Sequence, residues 1–167
     1  FLPWPAVASR VELRPCERVF EDNAPVLCNG FTITAHLGAA LAPDTVGVLA
    51  EQGDVNGGWV WYAGGGTLAF SCSFVSEHLT TMSVPLPVGA NELQVVGRPD
   101  DGGIDLVCVA DGRQIGQARL PHEWPGLWTP NSSASLLAGV GRPLPVCDGY
   151  DPQGPFSGVL ALLVVES

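Results

Sequence analysis

Within Leu68-Ala-Phe-Ser-Cys-Ser-Phe74, the residues Leu68, Phe70, Cys72 and Phe74 fall on one side of an extended chain, and Ala69, Ser71 and Ser73 on the other. Only a β-strand sends successive side chains to opposite faces, so this two-residue period fixes local structure more tightly than any other feature here. The period recurs in Phe31-Thr-Ile-Thr-Ala-His-Leu37. Apolar, β-prone runs bounded by turn residues predict ten strands, at residues 31–37, 46–51, 59–63, 67–75, 79–84, 92–97, 104–110, 114–120, 135–140 and 156–165. Gly64-Gly65-Gly66 and Asp111-Gly112 are hairpin signals, because their residues tolerate the positive φ of a tight turn. No window carries apolar residues at the three-and-four spacing of a helix. The expected fold is all-β, an antiparallel two-sheet β-sandwich of the jelly-roll type, with a barrel as the less favoured alternative.

Composition agrees. The 21 Gly and 15 Pro are scattered between the apolar runs, as turns in a many-stranded domain require. At 167 residues, 46% hydrophobic and 14% charged, the chain suffices for one packed core. Residues 1–29 are rich in Pro and charge and lack periodicity, so they are read as a connecting arm, and residues 30–167 as the sandwich domain. The chain begins at Phe1 with no leader-like segment and is expected to be a piece of a longer protein.

A net charge of −10, from seven arginines and no lysine against 17 acids, argues against nucleic acid and anionic lipid as partners. No apolar run is long enough to span a membrane, since Pro, Gly or charge interrupts each one. The five cysteines (Cys16, Cys28, Cys72, Cys108 and Cys147) show no metal-binding spacing, and their odd number leaves at least one thiol unpaired. Cys72 and Cys108 are expected in the core. A Cys16–Cys28 disulfide is the alternative to free thiols and would contribute about 3 kcal/mol. A reducing, cytoplasmic setting is expected over a secreted one.

Catalytic templates are missing: no nucleophile elbow, phosphate-binding loop, zinc-protease helix or dinucleotide fingerprint occurs. His36, His78 and His122 are expected to be polar surface positions. Paired carboxylates are the signature of glycoside hydrolysis, and the candidate pairs are Asp100 with Asp101 and Asp148 with Asp151. All four sit in Gly/Pro-rich stretches, where Asp is expected to cap the turn. A calcium ion held by Asp148 and Asp151 is the weaker alternative. Among the tryptophans, Trp59 and Trp61 share one side of a strand and are expected in the core. Trp124 and Trp128, in the loop after Leu120, are the candidates for a sugar-stacking platform.

Several segments, taken in order, resemble the C-terminal region of bacterial, actinobacterial-type arylsulfatases. Gly57-Gly-Trp-Val-Trp-Tyr62 resembles that family's G-G-W-x-L-Y strand, and Pro85-Leu-Pro-Val-Gly89 its P-L-P-x-G turn. Val109-Ala-Asp-Gly-Arg113 and Gln117-Ala-Arg-Leu120 are similar to its Y-V-D-G-K hairpin and the stretch after it. Asn29-Gly-Phe-Thr-Ile-Thr-Ala35 resembles the entry strand and Phe156-Ser-Gly-Val-Leu160 the closing one. The resemblance implies a concanavalin A-like, laminin-G-like sandwich following a sulfatase catalytic domain that would carry calcium and a formylglycine. The catalytic C-x-P-x-R is absent, so no catalytic residue carries over and no cofactor is expected in this chain. The family's D-V-G-x-D stands here as Gly139-Val-Gly-Arg-Pro143.

The final strand departs from the family in carrying Val159, Ala161, Leu162 and Val164 where relatives are polar. An apolar outer face there predicts packing against the parent's catalytic domain or a second copy of the chain. The leading functional expectation is therefore a non-catalytic accessory domain of an arylsulfatase-like hydrolase, partnered by its sulfatase domain. The alternative is a carbohydrate-binding module with glycans as partners. A sandwich-fold glycosidase and an adhesive domain come behind both.

Overall fold

The computed structural model describes residues 10–19, 25, 27, 30–54, 57–74, 77–121, 136–140, 146 and 155–167; the side chains of 54, 74, 77–81 and 121 lie outside that description. Twelve strands and no helix occur among these residues: β1 (Arg10–Leu13), β2 (Arg18–Val19), β3 (Phe31–Leu37), β4 (Gly47–Asp54), β5 (Gly57–Gly64), β6 (Thr67–Phe74), β7 (Glu77–Pro85), β8 (Glu92–Asp100), β9 (Gly103–Ala110), β10 (Arg113–Pro121), β11 (Leu136–Ala138) and β12 (Leu160–Glu166). They form two six-stranded sheets, β1-β12-β3-β8-β9-β10 and β2-β11-β4-β5-β6-β7, with every ladder antiparallel. The chain is a two-sheet sandwich.

The turns form where their residues permit them. Gly65 and Gly66 have φ of 58° and 78°, and Asp111 and Gly112 have 48° and 79°. Two successive positive φ values give the turn whose twist matches a hairpin. Asp111 also fastens the neighbouring loop, since its Oδ1 accepts from the Asn91 and Glu92 N–H groups at 2.9 and 3.0 Å.

Between the sheets lies one core. Trp59, Trp61, Phe70 and Leu68 project into it from the second sheet, against Ile33, Leu93, Leu106 and Leu163 from the first. The Trp59 ring stacks on Phe70 with centroids 5.6 Å apart, and its indole N–H donates to Gln52 Oε1 at 3.1 Å. A buried indole thereby keeps a partner while its ring fills the interior. Cys72 and Cys108 are buried in the same core, and burial pushes the Cys108 thiol up to about 12.

Three expectations change. First, the stretch read as an aperiodic arm carries β1, paired with β12, and β2, paired with β11, and it places Leu13 and Leu27 in the core. Strands of four and two residues are too short for a period to show. Second, the apolar outer face expected of the final strand is not formed as read, and β12 lies inside its sheet between β1 and β3. A bulge between Leu160 and Leu162 resets its phase, so Leu160, Leu163 and Val165 face inward. Of the residues expected to form an apolar outer face, Val164 is 3% exposed within this chain, whereas Val159 is 55% exposed. Third, residues 155–159 are not part of the last strand. They form a crossing segment in which Phe156 tucks into the core, and Cys16 nearby is an exposed free thiol, with Cys28 outside the described residues.

Candidate functional site

A sandwich has two outer faces, and the two differ here. On the second sheet the outward residues of β4, β5 and β6 are Val48, Val60, Tyr62 and Ala69, and all four are buried. Val146, from the segment between β11 and β12, completes that cluster and is fully buried against it. The segment is anchored by a parallel bridge between Val48 and Pro155 and by the Ser157 N–H donating to the Val46 carbonyl at 2.8 Å. Gly47, at φ 110°, permits this approach, because a Cβ there would run into the Pro155 carbonyl. Glu51, Ser71 and Ser73 on the same face have no exposed surface. This face is closed.

The first sheet is open at its β8–β10 edge. There Arg98, Asp105, Val107, Gln117 and Arg119 line a groove of about 470 Å³. The register explains why these side chains meet: Asp105 lies directly across from Arg98 on one side and from Arg119 on the other. Val107 and Gln117 form the next outward pair along the ladder. Their inward neighbours Leu106 and Ala118 point to the core, which fixes the groove's floor. Arg119 Nη1 donates to Asp105 Oδ1 at 2.6 Å and to Asp100 Oδ2 at 2.8 Å, while its Nη2 donates to the other oxygen of Asp100. This guanidinium, together with the Gly102 N–H, holds the Asp100 carboxyl down at about 2, and the Asp100 and Asp105 carboxylates in turn raise the Arg119 pKa. A carboxyl that titrates there has no proton to give near neutral pH, so Asp100 is not a general acid. As expected from its surroundings, it caps a hairpin turn.

The other candidates fall as follows. Trp59 and Trp61 are in the core, as expected. His36 is a half-exposed position on β3, its Nδ1 3.5 Å from Glu92 Oε2. Trp124, Trp128, Asp148, Asp151 and His122 lie outside the described residues, as does the His78 side chain. The calcium expectation at Asp148 and Asp151 stands outside them too; among the described residues no cluster of three metal-ligating side chains occurs. Also among them, no helix is long and apolar enough to cross a membrane. Arg98, Gln117 and Val107 were not singled out by the sequence. Their only signal was an outward position in β8, β9 and β10, and strand order was needed to bring them together.

The segments that resemble arylsulfatases are occupied by the fold itself. Trp59, Trp61, Phe31, Ile33, Ala35, Phe156 and Leu160 are core, Gly89 has φ 90°, and Asp111-Gly112 is a hairpin turn. No family model matches the chain, and no curated protein matches it by sequence. Solved structures do resemble it. The CBM40 of the Ruminococcus gnavus IT-sialidase aligns with a TM-score of 0.53 at 14% identity, covering 95% of this chain and 89% of that one; it has also been solved bound to α2,6-sialyllactose. The Caenorhabditis elegans galectin LEC-6 aligns at 0.52 and 10% identity, covering 93% and 96%. Domains LG4-5 of the mouse laminin α1 chain align at 0.57 and 9% identity, covering 96% of this chain and 41% of that one. Likeness at such identities is one of fold, and the fold is the concanavalin A-like, laminin-G-like jelly roll.

Proposed function

We propose that the chain is a non-catalytic glycan-binding domain whose site is the β8–β10 groove. The observation that carries this reading is the groove's make-up: guanidinium and amide donors set beside an aliphatic surface on an open sheet face. Sugar rings present hydroxyl acceptors along their edges and C–H groups on their faces, and Gln117, Arg98 and Val107 match these two demands. The jelly-roll neighbours support it, since one is a module solved with a bound oligosaccharide. The closed face of the second sheet favours the first sheet as the place of contact.

Attachment to an arylsulfatase-like hydrolase concerns what the domain is joined to. The collinear segments favour that second reading, and a C-x-P-x-R segment encoded upstream in the same gene would decide it. For the glycan reading, the ¹⁵N-labelled chain is titrated with a panel of neutral and acidic oligosaccharides while amide shifts are followed. Shifts confined to residues 96–98, 105–107 and 117–119 are expected. A spectrum unmoved by the whole panel refutes the reading.

A further inference from the structure

We infer that the groove selects a sugar bearing an anionic group, a carboxylate or a sulfate ester, and that Arg98 receives it. The inference rests on the glycan-binding reading above and names its ligand class. Four charges meet at this end of β8–β10: Arg98, Asp100, Asp105 and Arg119. Register places Arg98 directly across from Asp105, which makes an Arg98–Asp105 ion pair the simple expectation. The structure partitions the charges differently. Asp100 grips Arg119 with both of its oxygens, and Asp105 gives Oδ1 to the same guanidinium. Both acids thus bond to one arginine, and the four charges together sum to zero. Arg98 has no carboxylate at ion-pair distance among the described residues.

A guanidinium stays charged at every ordinary pH and offers a planar fork of donors that fits a carboxylate or sulfate edge. The chain as a whole carries −10, so its field repels anions from most of the surface. An arginine in a groove wall whose guanidinium holds no carboxylate is a place where an anion gains a partner at short range. The rest of the groove is arranged for a sugar attached to that anion. Gln117 Oε1 accepts from Gln114 Nε2 at 3.2 Å, which orients the Gln117 amide and leaves its own N–H groups for a ligand. Val107, on the strand between, supplies aliphatic surface. Arg98 and Gln117 stand two strands and one outward step apart, about 12 Å by strand spacing and rise. That separation suits a disaccharide, with the anionic group at the Arg98 end.

The test is isothermal titration of the intact chain with lactose, a sialylated lactose and a sulfated lactose, at low and high salt. At least one acidic ligand is expected to bind roughly tenfold or more tightly than lactose. That advantage should shrink at high salt. It should vanish in Arg98→Gln, return in part in Arg98→Lys, and persist in Arg113→Gln, which removes the same charge from the far end of β10. Whichever acidic ligand keeps the advantage tells carboxylate from sulfate. Equal affinity for lactose and both acidic forms overturns the inference and leaves the glycan reading standing. An acidic preference that survives Arg98→Gln places the anion elsewhere and also overturns it. No binding of any of the three, with no amide shifts, removes both.

Discussion

Asp100 shows how one exposed side chain can be read for its pH behaviour. Its carboxyl is held at about 2, from an ordinary 3.8, first by the Arg119 hydrogen bonds and then by the Gly102 N–H. A depressed pKa means that the fold favours the ionised form. Whatever the pair contributes is therefore complete above about 3.8 and is lost as the pH falls through about 2. A carbon-detected titration of the Asp100 carboxyl should give a midpoint near 2 in the wild type. In Arg119→Gln the midpoint should move back toward 3.8, and an unmoved midpoint would mean that the pair does not form. Gly97 makes a steric prediction. It lies on β8 beneath the Phe31 ring, and a Cβ added there would enter the space that the ring occupies. Phe31 in turn stacks on Phe70 across the core, so the ring cannot move aside freely. Gly97→Ala is expected to cost roughly 1–3 kcal/mol in urea unfolding, and a neutral result would show that this part of the core is loosely packed.

Elements come next, and β12 and the segment before it decide most of the architecture. Their apolar run reads as one long strand from 156 to 165, yet Phe156 turns inward and Gly158 lies against its ring. The segment's Pro155 bridges Val48 on the outer face of the second sheet, where Val146 is also buried. That face includes the Ala69, Ser71 and Ser73 side of β6, whose small residues read from sequence as the opposite of a core face. Small side chains suit that place for a packing reason, because they let a further layer approach the sheet closely. Val146→Ala should destabilise the fold by roughly 1–3 kcal/mol and speed proteolysis of the segment. A cost near zero would show that the segment only rests on the sheet.

For the whole molecule, the ladders join distant parts of the chain: Arg10 pairs with Glu166, and Phe31 with Gly97. Loop closure must precede these contacts, so refolding in stopped-flow mixing is expected in milliseconds to seconds rather than microseconds. A microsecond phase carrying the full signal would contradict the topology. The division of labour between sequence and tertiary structure follows from range. Strand positions, the hairpins at Gly65-Gly66 and Asp111-Gly112, and the core placement of Trp59 and Trp61 were legible in the sequence, since each depends on neighbours a few residues apart. The turn role of Asp100 was legible for the same reason. Strands β1 and β2, the bulge in β12 and the burial of one outer face were not, because each is fixed by a partner far along the chain. The groove belongs with these. Nothing local distinguishes Arg98 from Arg119, and only the side-chain packing in which both nearby acids bond to Arg119 leaves the Arg98 guanidinium without a carboxylate partner among the described residues.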